Sequence, residues 1–536
     1  MMSGMLVNME RGRWKFFVIA AIAFAAAAAL LYGQTLNDEF HFDDAKQIVD
    51  NDDVKSFRLS SLARYARAIT MLTYALNMKW SGPAPWSWHL ASMALFAMLG
   101  LAVTGALIFL TPPGSSAKKA AALALSLMFV AHPMATQAVA YISQRSEILC
   151  GLFSVCALCA YIAARREGSK MRPAWYALAL AATACAVRSK EAAAVLPLVF
   201  VAAEIFLLPD SKDFLRRALS VAGAAVATIA VLPLPLWRLA TEKVDAAGVL
   251  MDVSAVKPMS HATFFLSGQE AIWRYLRLIF LPYGQSIDHD VPPSQGLSDP
   301  FTLAALIGIL AIVGLIILFA GRRPLVSFGL AWFLLFMAPV TTFFPLDDLV
   351  AEHRALTPMI GLVFAGFGLL QSAKKPAPWI GAIVVLAIIC GAITMARVPV
   401  WDSELTLWSD AANKSPGKAR PFNNLGIAQV RAKRIDGAGD SFARAIALDP
   451  GYREPYENLG NCCVIQTNWE CAIDAFNRAI ELGYDRGTAL NLMKVMWRTG
   501  QKERMEAWLQ ALPDKRRKEL LDAAGRDPFF DVPAGT

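Results

Sequence analysis

The sequence predicts an all-α, polytopic membrane protein followed by a C-terminal α-helical repeat domain. Three observations carry this. Apolar residues make up 56% of the chain and charged residues 18%, where soluble domains average roughly 45–50% and about 25%. Apolar runs recur up to residue 400, and residues beyond it return at a fixed period of 34. The charge changes at the same boundary. Residues 1–400 hold 32 Lys/Arg and 24 Asp/Glu, whereas residues 401–536 hold 19 of each sign. This excludes a disordered chain and an ordinary soluble enzyme. The basic excess lies in the membrane part, where topology explains it without nucleic acid.

The first apolar run, Trp14 to Leu36, matches the length of about 20 residues that crosses a bilayer. It is longer than a signal-peptide core and reads as an uncleaved anchor. Further runs lie at 87–110, 120–141, 147–164, 173–187, 190–208, 217–238, 301–320, 325–344, 354–371 and 378–397, which makes eleven spans. Residues 262–284 are apolar but carry Glu270, Arg274 and Arg277, so an interfacial or re-entrant hairpin is expected there.

With the N-terminus in the cytoplasm, the inner segments hold 16 basic residues against four acidic ones. They include Arg11, Arg13 and Lys15 at the start, Lys118 and Lys119, Arg165 and Arg166, and Arg322 and Arg323. That bias is the positive-inside pattern. An odd number of spans then puts residues 401–536 on the outer side.

The repeat domain rests on pairs 34 apart: Asn424-Leu425-Gly426 with Asn458-Leu459-Gly460, Phe442 with Phe476, Ala438 with Ala472, Ala445 with Ala479, and Pro421 with Pro455. Small residues and an aromatic at this period form the tetratricopeptide signature. The expected units are a half repeat at 402–416, repeats at 419–452 and 453–486, and a degenerate unit at 486–512. Lys515–Lys518 reads as a solvated face. Such arrays bind peptides or proteins on a concave face; a rigid spacer is the plain alternative. Cys462, Cys463 and Cys471 permit one disulfide if this side is oxidising. The other five cysteines lie in apolar runs as small core residues.

The polar residues of the membrane part gather at the outer ends of spans. The first outer loop, 37–85, carries Asp38, Glu39, His41, Asp43, Asp44 and Asp50. Later outer turns carry Gln144-Arg145-Ser146-Glu147, Arg188-Ser189-Lys190-Glu191, and Asp348 with Glu352-His353-Arg354. The outer segment 239–300 carries Asp288-His289-Asp290, which is either a divalent-cation site or a wet loop. Arg145 with Glu147, and Lys190 with Glu191, are either structural ion pairs or parts of a site; charges at membrane depth mark sites. Together they suit one chemistry. A carboxylate takes the proton of an attacking hydroxyl, and Arg and Lys hold a phosphate leaving group. A lipid-linked phosphate presents its head at that level, with its tail in the bilayer.

At this point the residues resemble a known family. Phe42-Asp43-Asp44 with Asn51, then Arg67-Ala68-Ile69-Thr70 with Leu76-Asn77, then Trp88-His89-Leu90, are similar to the transmembrane-and-tetratricopeptide-repeat O-mannosyltransferases. So are His132-Pro133, Gln144-Arg145-Ser146-Glu147, Ser189-Lys190-Glu191 and Ala351-Glu352-His353-Arg354-Ala355-Leu356. Gln137 stands where the family often carries a carboxylate, and Arg67-Ala68-Ile69 where it reads Arg-Pro-Leu.

The resemblance implies a C-type (GT-C-like) glycosyltransferase that uses a polyprenyl-phosphate sugar on the outer side, with the first-loop acids in catalysis. The expected function is therefore inverting transfer of a sugar from a polyprenyl-phosphate donor to an outer-side acceptor, a protein Ser or Thr. The alternatives are a lipid or glycan acceptor, or a non-catalytic assembly factor. Asp44 or Asp43 is the expected base, with Asp44 favoured because it lies further from the first span. Arg354, Lys190, Arg145 and Arg274 are expected to hold the phosphate. Glu147, Glu191, Glu352, His353, Arg67 and His89 are further site candidates. The partners expected are the lipid-linked donor, membrane lipids, and an acceptor peptide docked on the repeats. The Ala-rich spans and small loops suggest a bacterial inner membrane, with site and repeats on the periplasmic side.

Overall fold

Sequences rich in Ala and Leu, with Pro and Gly set at the ends of runs, form helices that satisfy their own backbone polar groups, the one way an open chain can cross lipid. In the computed structural model every regular element of the described residues is helical. Those residues are 2–111, 116–166, 171–208, 221–223, 225–226, 259–343, 348–527 and 529, with side chains from Trp14 and without that of residue 343. The chain divides into two compact units. Residues up to Ser403, apart from Asp288–Asp290, form the first; Asp288–Asp290 and the chain from Glu404 form the second.

Among the described residues of the first unit seven helical segments are long and apolar enough to span a bilayer: Trp14–Asn37, Pro85–Phe109, Ile142–Arg165, Pro300–Phe319, Pro324–Thr342, Glu352–Gln371 and Ala377–Trp401. An eighth is the pair Ser116–Ala131 and Pro133–Ala140, bent by 55°. The bend falls at His132-Pro133, where proline lacks the amide a helix needs. His132 closes the break, since its Nδ1 accepts from the Met134 amide and its Nε2 lies 2.8 Å from the Ile279 carbonyl.

The expected count of eleven changes accordingly. The run at 173–187 is a helix, Arg172–Val187, of only 16 residues. The run at 190–208 is a 3-10 turn, Glu191–Val195, continued by Leu196–Phe206. The span expected at 217–238, apart from 221–223 and 225–226, and residues 239–258 of the outer segment lie outside the described residues. Residues 262–284 do not form a hairpin. His261–Phe280 is one continuous helix, capped by the Ser260 hydroxyl on the Thr263 amide. No proline or glycine pair interrupts it, so the chain has no reason to turn.

Small residues set one of the close helix contacts of this unit. Helices Pro324–Ala338 and Leu356–Gln371 cross at Gly329 and Gly361, where a Cβ on Gly329 would lie 2.3 Å from the Gly361 carbonyl oxygen. Within lipid such backbone approach is a main source of helix association. Glu204 is buried and paired with Arg165, and accepts the Tyr161 hydroxyl at 2.8 Å.

In the second unit helices follow in pairs. Glu404–Lys414 precedes Ala419–Arg431 with Ile435–Leu448, Arg453–Ile465 with Trp469–Leu482, and Arg486–Arg498 with Lys502–Ala511. Lys515–Lys518 lies in a further helix, Asp514–Ala524. Gly426 and Gly460 let the first helix of each pair settle on the ring of Phe442 or Phe476. Cys463 and Cys471 are joined in a disulfide across the second pair, and Cys462 is a buried thiol.

A Cβ at Gly460 would meet the Phe476 ring at 2.6 Å. We expect Gly460→Ala to destabilise the pair by about 1–3 kcal/mol through overpacking. A lower melting temperature, recovered on adding Phe476→Leu, checks this.

Candidate active site

The site is assembled around one short stretch of chain, residues 141–147. The first outer loop reaches it through a turn at Phe42, whose φ of 43° is a left-handed conformation rarely taken by a bulky residue. The turn sends the two neighbouring acids in different directions. Asp44 is fully buried. Its Oδ1 accepts the Ser143 amide at 2.7 Å and the Ser143 hydroxyl, and its Oδ2 accepts the His41 amide at 3.1 Å. Asp43 keeps part of its surface exposed. Its amide donates to the Tyr141 hydroxyl at 3.0 Å. The Tyr141 ring stacks on Trp401, which His41 also meets edge-on. Position along the chain favoured Asp44 as the freer acid; the loop turns it inward instead.

Burial pushes the Asp44 carboxyl up from 3.8 to about 7; the hydrogen bonds from Ser143 and His41 hold it down, and the Asp43 charge pushes it up further. Because this value is raised above that of an unfolded aspartate, the associated stability is complete below pH about 3.8 and is lost as pH rises through about 7. We expect the amides of residues 41–44 to lose protection between pH about 4 and 7.5 beyond the intrinsic rate change, and to show no further loss above it. Asp44→Asn should flatten that dependence, as hydrogen exchange would show.

The cations of the same level are engaged with carboxylates. Lys190 and Glu147 form a buried ion pair at 2.7 Å, and the Lys190 ammonium also lies 3.4 Å from the Gln144 side-chain oxygen. Arg67 grips Glu191 with two hydrogen bonds, at 3.0 and 2.7 Å. Backbone and side-chain bonds lock these segments of the site together, the Ile69 amide to the Arg188 carbonyl and the Thr70 hydroxyl to the Ser189 carbonyl. The expected partner of Lys190 was its neighbour Glu191; the structure pairs it with Glu147 and gives Glu191 to Arg67.

Arg145, expected to hold the phosphate, is engaged within the fold. It is fully buried, donates to Ser92, Asn77 and the Trp88 carbonyl, and lies over the Tyr74 and Trp88 rings. Its Nε, its Nη2 and its faces are used in packing the first loop against the span Pro85–Phe109. Arg274 is exposed on the helix His261–Phe280, and none of the described contacts brings it to this cluster.

His353 lies where the remaining charges converge. Lys190, Arg354 and Arg67 all lie close enough to act on its half-buried ring. Its amide donates to the Gln137 side-chain oxygen at 3.0 Å, so the position read as lacking a carboxylate instead orients the His353 turn. Glu352 is buried and accepts the Ser286 amide at 2.6 Å. Arg354 is half-buried and donates to the Asp348 carbonyl. His89 is buried beside His41, Asp38 and Arg145.

In the segment Asp288-His289-Asp290 the first acid is engaged by cationic side chains. Asp288 belongs to the second unit, where it is neutralised by Lys418 and by Arg420 at 2.7 Å. Among the described residues no cluster of three or more His, Cys, Asp or Glu side chains could hold a metal ion.

Two residues that sequence reasoning passed over are Tyr141 and Ser143, which fix the two first-loop acids. They directly precede the Gln144-Arg145-Ser146-Glu147 motif, and that adjacency was the available signal.

No family model matches the sequence. The chain is 23% identical over 476 residues to mouse (Mus musculus) protein O-mannosyl-transferase TMTC4, covering 76% of this chain and 63% of that one. It is 25% identical over 462 residues to human (Homo sapiens) protein O-mannosyl-transferase TMTC3, covering 77% and 50%. The chain thus spans between half and just under two thirds of the length of these relatives. Among solved structures it aligns with ArnT from Cupriavidus metallidurans in the apo state, with a TM-score of 0.38 and 15% identity over 82% of this chain and 77% of that one. The same protein bound to undecaprenyl phosphate gives 0.35 and 14%, over 85% and 79%. The similarity to these protein O-mannosyl-transferases therefore extends over about three quarters of the sequence, and the motifs read above lie within a chain similar to them throughout that length.

Proposed function

We propose that the protein is a membrane glycosyltransferase that moves a sugar from a polyprenyl-phosphate donor to a hydroxyl on the outer side, a Ser or Thr of a protein. One observation carries this reading: residues 141–147 hold both halves of the required chemistry. Tyr141 and Ser143 position the first-loop acids, while Gln144 and Glu147 hold Lys190. The names of the relatives support it. The disulfide Cys463–Cys471 supports an oxidising, periplasmic location for the repeats.

In this scheme Asp43 is the base, and Asp44 with Tyr141 positions it. The Asp43 carboxylate takes the hydroxyl proton as the acceptor oxygen attacks the anomeric carbon. The bond from that carbon to the phosphate oxygen breaks, and its electron pair leaves with the polyprenyl phosphate. Attack opposite the leaving group inverts the anomeric centre. Lys190, Arg67 and Arg354, around His353, stabilise the charge that develops on the phosphate.

The test compares outer-side proteins by intact mass in cells with the protein, without it, and with Asp43→Asn. A hexose-sized mass lost in the second and third supports the reading. Masses identical in all three overturn it in favour of an assembly factor.

Arg354 gives a separate expected result. Arg354→Ala should weaken donor binding about ten- to a hundredfold, because a hydrogen bond to a charged group contributes roughly 1.5–3 kcal/mol. Arg354→Lys should also bind less well, since an ammonium cannot reproduce a two-pronged contact. Calorimetric titration with a polyprenyl phosphate measures both; unchanged affinity would leave Arg354 only its contact with the Asp348 carbonyl.

A further inference from the structure

The helix His261–Phe280 carries two cations that the site does not use, Arg274 and Arg277. One face of the helix is buried through Phe264, Ile272, Tyr275 and Leu278. Gly268 lies on the same face, where any Cβ would run into the Thr341 carbonyl oxygen. The other face is open. Trp273, Arg274, Arg277 and Phe280 are exposed on it, and Leu281 and Tyr283 continue the exposed surface past the helix end. Arg274 and Arg277 are three positions apart, so their side chains are neighbours.

This face lies where lipid begins. Glu270 accepts the Thr302 hydroxyl, and the Trp273 Nε1 donates to the Ala305 carbonyl at 3.0 Å. Both contacts fall in the first turns of the span Pro300–Phe319, of which only Thr302 and Ala305 are buried. The rest of that span faces lipid. Trp273 therefore sits at the end of an apolar span, the level at which tryptophan settles and at which lipid phosphates lie. Among the described residues neither Arg274 nor Arg277 forms an ion pair with a carboxylate. Arg277 is turned onto Tyr283: its Nη1 donates to the Tyr283 carbonyl at 2.8 Å, and its guanidinium lies 4.6 Å from the centre of that ring. That contact leaves the Nε and Nη2 donors of Arg277 for another acceptor.

We propose that this face binds an anionic phospholipid, its phosphodiester held by Arg274 and Arg277 and its chains lying along Phe280, Leu281 and the exposed side of the span Pro300–Phe319. Charge complementarity names the occupant. Two guanidinium groups at the edge of lipid are costly without a counter-anion, and a phosphate oxygen pair matches the guanidinium fork. The apolar side chains beside them suit acyl chains and give nothing to a free anion. The face is open along its length, which suits an abundant lipid of the surrounding bilayer. The proposal concerns lipid binding alone and does not rest on the sugar-transfer reading. The bound lipid also braces the helix whose Tyr275 hydroxyl donates to the Ala351 carbonyl at 3.1 Å and accepts the Ala351 amide at 2.9 Å.

The test titrates the full chain in detergent with phosphatidylglycerol or phosphatidylcholine and counts retained lipid by native mass spectrometry. Phosphatidylglycerol should be retained and phosphatidylcholine should not. Arg274→Gln or Arg277→Gln should each weaken phosphatidylglycerol binding about fivefold, and the two together about twenty- to thirtyfold, since each cation near an anionic headgroup contributes about one such factor. Arg274→Lys with Arg277→Lys keeps both charges and should bind more tightly than the double Gln form. Thermal melting before lipid is added identifies a variant that has lost its fold; the two single Gln variants then give the reading. Equal retention of the two lipids, or phosphatidylglycerol binding indifferent to the Gln substitutions, overturns the proposal. So does displacement of the lipid by millimolar inorganic phosphate, which would make this a site for a free anion. A polyprenyl phosphate that binds at least about tenfold more tightly than phosphatidylglycerol, with the same dependence on Arg274 and Arg277, overturns the assigned occupant in favour of the donor's carrier.

Discussion

Asp43→Asn is expected to lower sugar transfer by about 10²–10⁴, the usual contribution of a positioned general base, while donor binding and membrane insertion stay unchanged. The substitution keeps the size of the side chain and the backbone amide that donates to Tyr141, and removes the proton-accepting carboxylate. Asp44→Asn is a different experiment. Its amide nitrogen would face a backbone N–H or the Ser143 donors, so one buried hydrogen bond becomes a donor–donor clash. That costs about 1–3 kcal/mol of loop stability. Asp44→Asn should therefore lose activity together with protection of the loop, whereas Asp43→Asn loses activity alone. Transfer from a defined lipid-linked donor to an acceptor peptide, measured beside hydrogen exchange for both variants, separates the two roles. Wild-type transfer by both variants would remove the chemical basis of the proposed function.

The contrast between these neighbouring acids shows where sequence stops being informative. The 34-residue period was legible because Gly426 and Gly460 must each meet a phenylalanine one helix later, and such a contact leaves a repeating trace. The first, second and last spans were legible because long lipid-facing runs tolerate few charges. The orientation of Asp43 and Asp44 was not, since it turns on one backbone angle at Phe42. Nor was the fate of Arg145. Its partners Ser92 and Asn77 lie 53 and 68 positions away, and only packing brings them to it. The bend at His132-Pro133 and the short helix Arg172–Val187 escaped because hydropathy reports how apolar a run is, not whether it is straight or how much of it is helical. The candidate site shows the same limit: the charged residues at the span ends were identifiable, but their pairing depends on folding.

Lys190→Ala is expected to destabilise the membrane unit by about 3–5 kcal/mol, the effect of leaving one member of a buried ion pair without its partner. Glu147 would remain 2% exposed with a charge and no cation at 2.7 Å. The double variant Lys190→Met with Glu147→Leu should recover most of that loss, because a buried pair replaced by apolar side chains of similar volume is often neutral or stabilising. The two proposed roles of Lys190 then separate. If it only holds helices together, the double variant regains both thermal stability and donor affinity. If its ammonium also faces the donor phosphate, stability returns while donor affinity stays low, since no apolar side chain replaces a charge-assisted hydrogen bond. Thermal melting in detergent and donor titration on the same preparations give the two readings. Recovery of both would confine phosphate binding to Arg67 and Arg354, and a single variant as stable as the wild type would contradict the pairing itself.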